Sequence, residues 1–360
     1  MMSIPPPLKG RGAPVNGESA RFNLPQRVVD GDWLDAIGQI DDGAPPLRTT
    51  VTLEHPRSII SRNTSPDLPF DQSINAYRGC EHGCVYCYAR PTHAWLDLSP
   101  GLDFESRLFA KPDAAKLLRQ TLRKPGYVPK VIALGTNTDP YQPIEAEYRI
   151  TRSILEVCLE ARNPVSITTK SDRVLADLDL LTQMAKLDLV AIALSVTTLD
   201  GATARALEPR AAAPRKRLAA IKVLADASVP VHINVSPVIP AITDHEIEAL
   251  VAAGATAGAL SASYIPVRLP HEVAPLFRAW LDAHYPDRAA KVMAIIHDMR
   301  GGRDNDPSFG SRMRGQGPWA DLIRTRFRLA VKRAGLNQHR WLLDTGNFRS
   351  PADGSQGELF

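Results

Sequence analysis

Three of the four cysteines in this 360-residue chain lie within one short segment, at Cys80, Cys84 and Cys87. Thiolates held close together repel one another unless a soft metal or an iron–sulfur cluster neutralises them. Structural zinc sites and electron-transfer clusters usually take four protein ligands, so three cysteines leave one coordination position open. The C-x3-C-x2-C spacing therefore predicts a metal centre at which chemistry takes place.

The remaining metal-binding side chains near this segment are weaker candidates. Glu81 and His82 lie inside it, and we interpret both as polar residues on an exposed loop. The fourth cysteine, Cys158, lies in the apolar stretch 154–159, and we predict that it is a core residue. One alternative stays open, in which the loop holds zinc, completed by His82 or a water, in a binding protein that is not an enzyme.

Alternating strand and helix patterns from about Ser73 onward predict a parallel α/β architecture. We expect six strands, at Ser73–Tyr77, Lys130–Leu134, Val165–Thr168, Leu189–Ser195, Val231–Val235 and Ala257–Ser261. The carboxyl ends of parallel strands meet at one edge of a sheet, where ligand sites form. The cysteine segment follows the first strand, and polar residues follow or end the next three, namely Thr136, Asn137, Asp139, Lys170 and Ser195. These residues are expected to share one site.

The cysteine spacing, with the aromatic Tyr86 directly before the third cysteine, resembles the signature of the radical S-adenosylmethionine (SAM) enzymes. The resemblance implies a partial (β/α)6 barrel of the TIM-like type, with a [4Fe-4S] cluster on Cys80, Cys84 and Cys87. It also implies SAM as a second cofactor, bound through its amino and carboxylate groups to the fourth iron. Reduction by a cellular electron donor, an implied partner, would cleave SAM to a 5′-deoxyadenosyl radical that abstracts hydrogen from the substrate.

Within that superfamily, residues 73–267 are similar to the branch that includes spore photoproduct lyase, and the whole chain resembles a related group of uncharacterised bacterial proteins. The similarity implies that Tyr86 and Tyr88 contact the cofactor or relay a hydrogen atom. It implies further SAM contacts, to the carboxylate or ribose from Lys170 and Ser195, and to the ribose or amino group from the turn of Thr136, Asn137 and Asp139.

One departure from that branch concerns the hydrogen donor. The lyase branch carries a hydrogen-donating cysteine at about the Gly135–Thr136 turn, which contains no cysteine here. The lyase reaction in that form is therefore not implied for this chain. A tyrosine such as Tyr86 or Tyr141 is the substitute that we consider, and both are candidate catalytic residues. The alternative is a different substrate.

Composition divides the chain into four parts. Residues 1–50 are rich in proline, glycine and charge, which predicts a disordered or draped arm before a barrel at 51–267. A basic, mostly helical extension is expected at 268–349, and a flexible tail at 350–360. The few cysteines, the lack of a signal-peptide pattern and the lack of an uncharged apolar run of about 18 residues predict a cytoplasmic protein with no membrane contact.

The formal net charge of +4 comes from the C-terminal part, because residues 286–349 hold 13 Lys and Arg against 6 Asp and Glu. Two loops there, at 300–303 and 311–317, combine glycines with arginines. The helix predicted over Pro318–Ala334 carries a basic stripe beside an apolar one. These patterns are typical of contacts to nucleic-acid phosphates and also of ordinary solvated surfaces. We predict a nucleic-acid substrate, in repair or modification, with a protein, peptide or small molecule as the alternative.

The last residues, Gln356–Phe360, resemble the Gln-x-x-Leu-Phe peptide by which bacterial replication and repair proteins dock on the DNA sliding clamp. A flexible tail that ends in two large apolar side chains suits a small hydrophobic groove. The alternative is that Leu359 and Phe360 fold back onto the protein's own surface.

Overall fold

The computed structural model describes residues 10–14, 16–17, 48–338 and 342–351. Its strands are β1 (Thr50–Leu53), β2 (Ile60–Arg62), β3 (Gln72–Ile74), β4 (Tyr77–Arg78), β5 (Arg107–Ala110), β6 (Ile132–Leu134), β7 (Val165–Thr169), β8 (Val190–Ser195), β9 (Val231–Val238) and β10 (Ser261–Pro266). Its α-helices are α1 (Asp103–Ser106), α2 (Ala114–Leu122), α3 (Glu145–Tyr148), α4 (Ile150–Ala161), α5 (Leu178–Ala185), α6 (Gly201–Leu207), α7 (Pro214–Asp226), α8 (Ile247–Thr256), α9 (Val273–His284), α10 (Pro286–Met299) and α11 (Gly317–Arg333). Short 3-10 helices cover Arg90–Leu96, Asp172–Asp177 and Asp244–Glu246.

The main sheet has seven strands in the order β10-β9-β8-β7-β6-β3-β2. Strand β3 and strands β6 to β10 pair in parallel with their neighbours, whereas β2 adds an antiparallel edge to β3. Within the described residues this sheet ends at β2 and β10 and does not close on itself. The six parallel strands predicted for a partial barrel are therefore confirmed. A second sheet, β1-β5-β4, leads through β4 directly into the cysteine segment.

The first five predicted strands overlap β3, β6, β7, β8 and β9, but the bounds of the sixth, Ala257–Ser261, are wrong. Helix α8 continues to Thr256, and Gly258, with a φ of +99°, turns the chain after it. The Gly258 amide donates to Ala255 O at 2.9 Å, a bond that ends the helix. Strand β10 therefore begins only at Ser261, because the small residues before it belong to the helix end.

The main sheet has one apolar face and one polar face. Alternate residues such as Ile192, Val231 and Ile233 are fully buried in a core that also contains Cys158, as predicted. The opposite face carries small or hydrogen-bonding side chains that are only half-buried: Ser166, Thr168, Ala191, Ala193, His232, Asn234, Ser261 and Ser263. This polar face is suited to a ligand rather than to a packed apolar core.

The C-terminal extension is mostly helical, as predicted. Helix α11 begins and ends one residue earlier than expected, and Ile323, Phe327 and Val331 form its buried face. Helix α9 packs through Phe277 and Trp280 into an apolar cluster that includes residues 84–86. The extension therefore lies directly against the cysteine segment.

Two predictions fall partly or wholly outside the described residues. The tail Gln356–Phe360 lies beyond them, and so does most of the arm at 1–50. Within the described ranges, no helix is both long and apolar enough to span a bilayer.

Candidate cofactor site

The cysteine segment follows β4 and turns at two glycines. Gly79 and Gly83 have φ values of +73° and +67°, which favour glycine. A Cβ at Gly79 would lie 2.8 Å from Phe104 O, and the Cys80 amide donates to the same carbonyl at 2.9 Å. The turn therefore depends on close backbone packing against residues that follow the segment in sequence.

Cys80 and Cys84 are buried and Cys87 is half-buried. Burial raises the pKa of Cys80 and Cys84 well above the usual range of a thiol, so both stay protonated until a metal binds. Cysteine ligands of a [4Fe-4S] cluster bind different iron atoms, and three thiols in one short segment are the soft donor set that such a cluster takes.

A fully buried arginine holds the backbone of the cysteine segment. Arg90 Nε donates to Cys84 O at 2.8 Å, and Nη2 donates to Gly83 O at 3.1 Å. Nη1 donates to two further carbonyls, at 100–101, over 3.0 and 2.9 Å. The charge is balanced by Glu105, also fully buried, whose Oε1 lies 2.5 Å from Arg90 Nη2. The loop carbonyls thus have fixed partners before any cofactor binds.

The carboxylate of Glu105 also binds the N-terminal residues. It accepts hydrogen bonds from Gly12 N at 3.0 Å and Ala13 N at 2.8 Å, and Arg11 Nη1 donates to Glu105 O at 2.7 Å. A Cβ on Gly12 would lie 1.7 Å from Gly83 O, so the two backbones touch. Residues 11–13 therefore pack directly against the cysteine segment.

Lys170 places a positive charge beside the cysteine segment. It follows β7 directly, and its ammonium group lies 5.9 Å from the centroid of the Tyr86 ring. Burial by itself lowers the pKa of Lys170, but the negative charges of Cys84, once it is a thiolate, and of Glu208 outweigh this effect and raise it above the ordinary value. The group therefore stays charged, and a half-buried ammonium is a strong donor to a carboxylate.

A buried ion pair that the sequence analysis missed lies beside Tyr86. The hydroxyls of Tyr86 and Thr197 both donate to Glu208 Oε1, the latter at 2.7 Å, and Arg217 pairs with Oε2. Arg217 Nη1 also donates to Ser195 O at 2.9 Å. Tyr86 and Ser195, predicted from separate segments, thus belong to one connected group.

Asn75, just after β3, holds the turn that follows β6. Its Oδ1 accepts hydrogen bonds from Thr136 Oγ1 at 3.3 Å and Asn137 N at 2.9 Å. Gly135 has a φ of +85°, and a Cβ there would lie 2.0 Å from Thr168 O. No side chain fits at Gly135, whereas Thr136 and Asn137 are half-buried at the carboxyl edge of the sheet.

The Asp139 carboxylate is bound by other groups of the protein. Its carboxylate accepts hydrogen bonds from Thr169 Oγ1 at 2.7 Å and Lys170 N at 2.8 Å, and lies 3.3 Å from His82 Nδ1. Burial alone would raise the pKa of Asp139, but His82 and these hydrogen bonds lower it to about 2. Asp139 therefore joins the turn after β6, the end of β7 and the cysteine segment.

The interpretation of Glu81 and His82 as exposed loop residues is wrong, because both are buried. Glu81 forms an ion pair with Arg210 at 2.9 Å and accepts a hydrogen bond from Thr49 Oγ1 at 2.7 Å. His82 lies against Asp139. Both side chains therefore face residues far away in sequence, Arg210 and Thr49 for Glu81 and Asp139 for His82.

The three candidate tyrosines lie in different environments. Tyr88 is 54% exposed, and its hydroxyl donates to Thr136 O. Tyr86 is buried beside Lys170. Tyr141 is also buried, but in the main core, where its hydroxyl donates to Asp177 Oδ2 at 3.0 Å. Tyr86 and Tyr88 belong to the cysteine segment by sequence, whereas the structure places the Tyr141 hydroxyl in the main core.

The arginine-glycine loops of the extension are partly committed to structure. Arg300 is buried and donates to the carbonyls at 266–267 and 311–312. Arg312 forms a two-bond pair with Asp67. Of the two interpretations left open for these loops, phosphate contact is therefore not supported by Arg300 and Arg312, whose donors are used within the protein. On α11, Arg328 and Lys332 are exposed.

Comparisons with known proteins agree with this site. The model of the radical SAM superfamily matches residues 74–253, half of the chain. An uncharacterised protein of Mycobacterium tuberculosis is 34% identical over 286 residues, which cover 78% of this chain and 83% of the relative. An uncharacterised protein of Methanocaldococcus jannaschii is 30% identical over 173 residues, 48% of this chain and 62% of that relative.

Among solved structures, spore photoproduct lyase complexed with dinucleoside spore photoproduct has a TM-score of 0.55 and 15% identity over 79% of both chains. A tyrosine-to-phenylalanine variant of the lyase has a TM-score of 0.56 and 15% identity over 84% of this chain and 90% of that one. At this identity the likeness shows a shared fold, not a shared reaction. Because the family model covers half of the chain and the mycobacterial relative most of it, the chain belongs to the radical SAM superfamily, whose enzymes use a [4Fe-4S] cluster and SAM.

Proposed function

We propose that this radical SAM enzyme holds its cluster on Cys80, Cys84 and Cys87 and acts on a nucleic acid, in repair or modification. The observation that carries the proposal is the position of the cysteine segment, beside a charged lysine and the turns at the carboxyl edge of a parallel sheet. With SAM, the cluster supplies a 5′-deoxyadenosyl radical that abstracts hydrogen from the substrate.

The surrounding side chains receive distinct roles. Lys170 would donate to the carboxylate of SAM, and Ser195, at the end of β8, would contact the carboxylate or the ribose. Thr136 and Asn137 offer hydroxyl and amide groups to its ribose or amino group. Asp139 is a positioning residue, because its carboxylate accepts a hydrogen bond from the Lys170 amide and thereby fixes the backbone from which the lysine side chain extends.

Tyrosine takes the hydrogen-relay role, because no side chain fits at Gly135 and the chain has no cysteine there. Tyr88 is the more accessible candidate, and Tyr86, whose hydroxyl is bound to Glu208, is the buried one. The core position of Tyr141 does not support a relay through it.

Exposed aromatic rings and basic side chains support a nucleic-acid substrate. Tyr88 is 54% exposed and Phe309 is 60% exposed, and Arg328 and Lys332 on α11 are exposed basic side chains. Bases stack on such rings irrespective of sequence, while basic side chains follow the backbone. We also propose a cellular electron donor for the cluster, a docking role for the Gln356–Phe360 tail on the sliding clamp, and a cytoplasmic location that keeps the thiols reduced.

The proposal is tested by anaerobic reconstitution with iron and sulfide, reduction with dithionite, and assay for 5′-deoxyadenosine after addition of SAM. We expect product from the wild type, none from the Cys80, Cys84, Cys87→Ala triple variant, and more product when oligonucleotides carrying base damage are added. Purification with one zinc and no iron would overturn the enzyme assignment. Stimulation by peptides but not by any nucleic acid would overturn the substrate assignment.

A further inference from the structure

Arg268 differs from the other arginines around the site because its guanidinium lacks good acceptors. It lies two residues after the end of β10, at the carboxyl edge of the main sheet. Nη1 donates to Met313 Sδ at 3.3 Å, and the buried Nε has no hydrogen-bond partner among the residues that the structure describes. A thioether is a weak acceptor, so most of the donor capacity of Arg268 is unused.

Other buried arginines near the site are well supplied with acceptors. Arg90 donates to four carbonyls and to Glu105. Arg217 donates to two carbonyls and to Glu208. Arg300, whose Nε is also without a partner, still donates to four carbonyls from its two Nη atoms. Buried donors without acceptors are costly, so the bare guanidinium of Arg268 points to a ligand that completes it.

The charges around Arg268 do not neutralise it. Burial and then Arg312 lower the pKa of Arg268, whereas Tyr88, Asp67 and Asp306 act in the opposite direction. Asp67 is already paired with Arg312, and Asp306 accepts hydrogen bonds within its own loop. A positive charge therefore remains at the mouth of the site, next to the exposed ring that follows the third cysteine.

We propose that Arg268 binds a phosphate group of the nucleic-acid substrate at the entrance to the cofactor site. The proposal rests on the proposed function and deepens it. A guanidinium presents a planar fork of donors that matches two phosphate oxygens, which a single sulfur cannot satisfy. The rings of Tyr88 and Phe309 offer stacking surfaces in the same region for the bases beside that phosphate.

The test compares Arg268→Met with Arg119→Met in the full-length protein. Arg119 lies on the outer helix α2 and pairs with Glu160, so its removal takes away one charge far from the sheet edge. The probe is a fluorescein-labelled single-stranded oligothymidylate of about a dozen nucleotides, followed by anisotropy over a range of salt concentrations. Polyglutamate is used as a second anionic probe, and SAM affinity is measured by calorimetry.

We expect Arg268→Met to weaken oligonucleotide binding about 10-fold or more, and to reduce the slope of log affinity against log salt by about 0.7. The melting temperature should stay equal or rise, because methionine removes an unsatisfied donor and keeps the contact with Met313. If both variants bind the oligonucleotide like the wild type, this inference fails while the proposed function stands. Loss of SAM affinity alone, or a preference for polyglutamate that depends on Arg268, would also overturn it. A wild type that binds no oligonucleotide contradicts the substrate in the proposed function itself.

Discussion

Replacing Arg90 by methionine should loosen the cysteine segment more than any exposed charge substitution. The change removes hydrogen bonds to Gly83 O and Cys84 O and leaves the Glu105 carboxylate buried without its ion-pair partner. Breaking a buried pair costs about 3–5 kcal/mol, and each abandoned carbonyl adds to this cost. We therefore expect a loss of at least about 4 kcal/mol, a large part of the 5–15 kcal/mol that stabilises a typical domain.

The assay is urea unfolding at equilibrium, with iron content measured on the same samples after anaerobic reconstitution. With a slope of about 3 kcal/mol per molar, the midpoint should fall by more than about 1 M urea, and iron binding should fall with it. Arg119→Met removes an exposed pair and should cost at most about 1 kcal/mol. Glu105→Gln should partly rescue Arg90→Met, because it removes the unpaired charge. A midpoint shift like that of the control, with full iron content, would refute the reasoning.

Three further outcomes are expected. Gly135→Ala should lower the free energy of unfolding by about 3 kcal/mol or more and weaken SAM binding, because its Cβ would lie 2.0 Å from a backbone oxygen. Gly310 has a similar φ of +83° but lies in open space, so Gly310→Ala should cost about 1 kcal/mol. Equal losses in urea titrations of the two variants would contradict this. Burial lowers the pKa of His232 to about 4, so between about pH 6.5 and 4 the unfolded chain binds a proton that the native chain excludes. Stability should therefore fall by up to about 3 kcal/mol as the pH drops through that window, and His232→Gln should flatten the dependence; parallel curves for the two proteins would disprove it. Cys158→Ala should keep the full iron content and 5′-deoxyadenosine yield, because this thiol lies in the main core, and iron loss in that variant would show that the ligand set is misassigned.

Local sequence patterns were sufficient to predict the class of the protein. Three thiols at fixed spacing need only a short loop to approach one cluster, so the metal centre was predictable without any tertiary information. Strand and helix periodicities likewise depend on neighbouring residues, and all six predicted strands overlap observed ones, the sixth at Ser261 alone. The sixth failed because small residues such as Ala257 and Gly258 are compatible with both a helix end and a strand.

Local sequence patterns could not predict the long-range contacts that hold the site residues in place. Glu105 meets both Arg90 and the backbone of residues 12–13, and Glu208 meets Tyr86 across a large separation in sequence. Nothing in the composition of the cysteine segment indicated that Glu81 and His82 are buried, since polar residues in a glycine-rich loop are usually exposed.

The sequence by itself therefore determined the parallel sheet and the helical extension, and it predicts the three cysteines as cluster ligands, because each depends on spacing along the chain. Only the tertiary structure decided which charges are neutralised and which are left over. In the sequence, Arg300 and Arg312 cannot be distinguished from other arginines of the basic segment. In the structure, Arg300 donates to backbone carbonyls and Arg312 pairs with Asp67. Arg268 attracted no attention in the sequence and emerges as the arginine with unused donors, because burial and the absence of acceptors are properties of the folded surroundings.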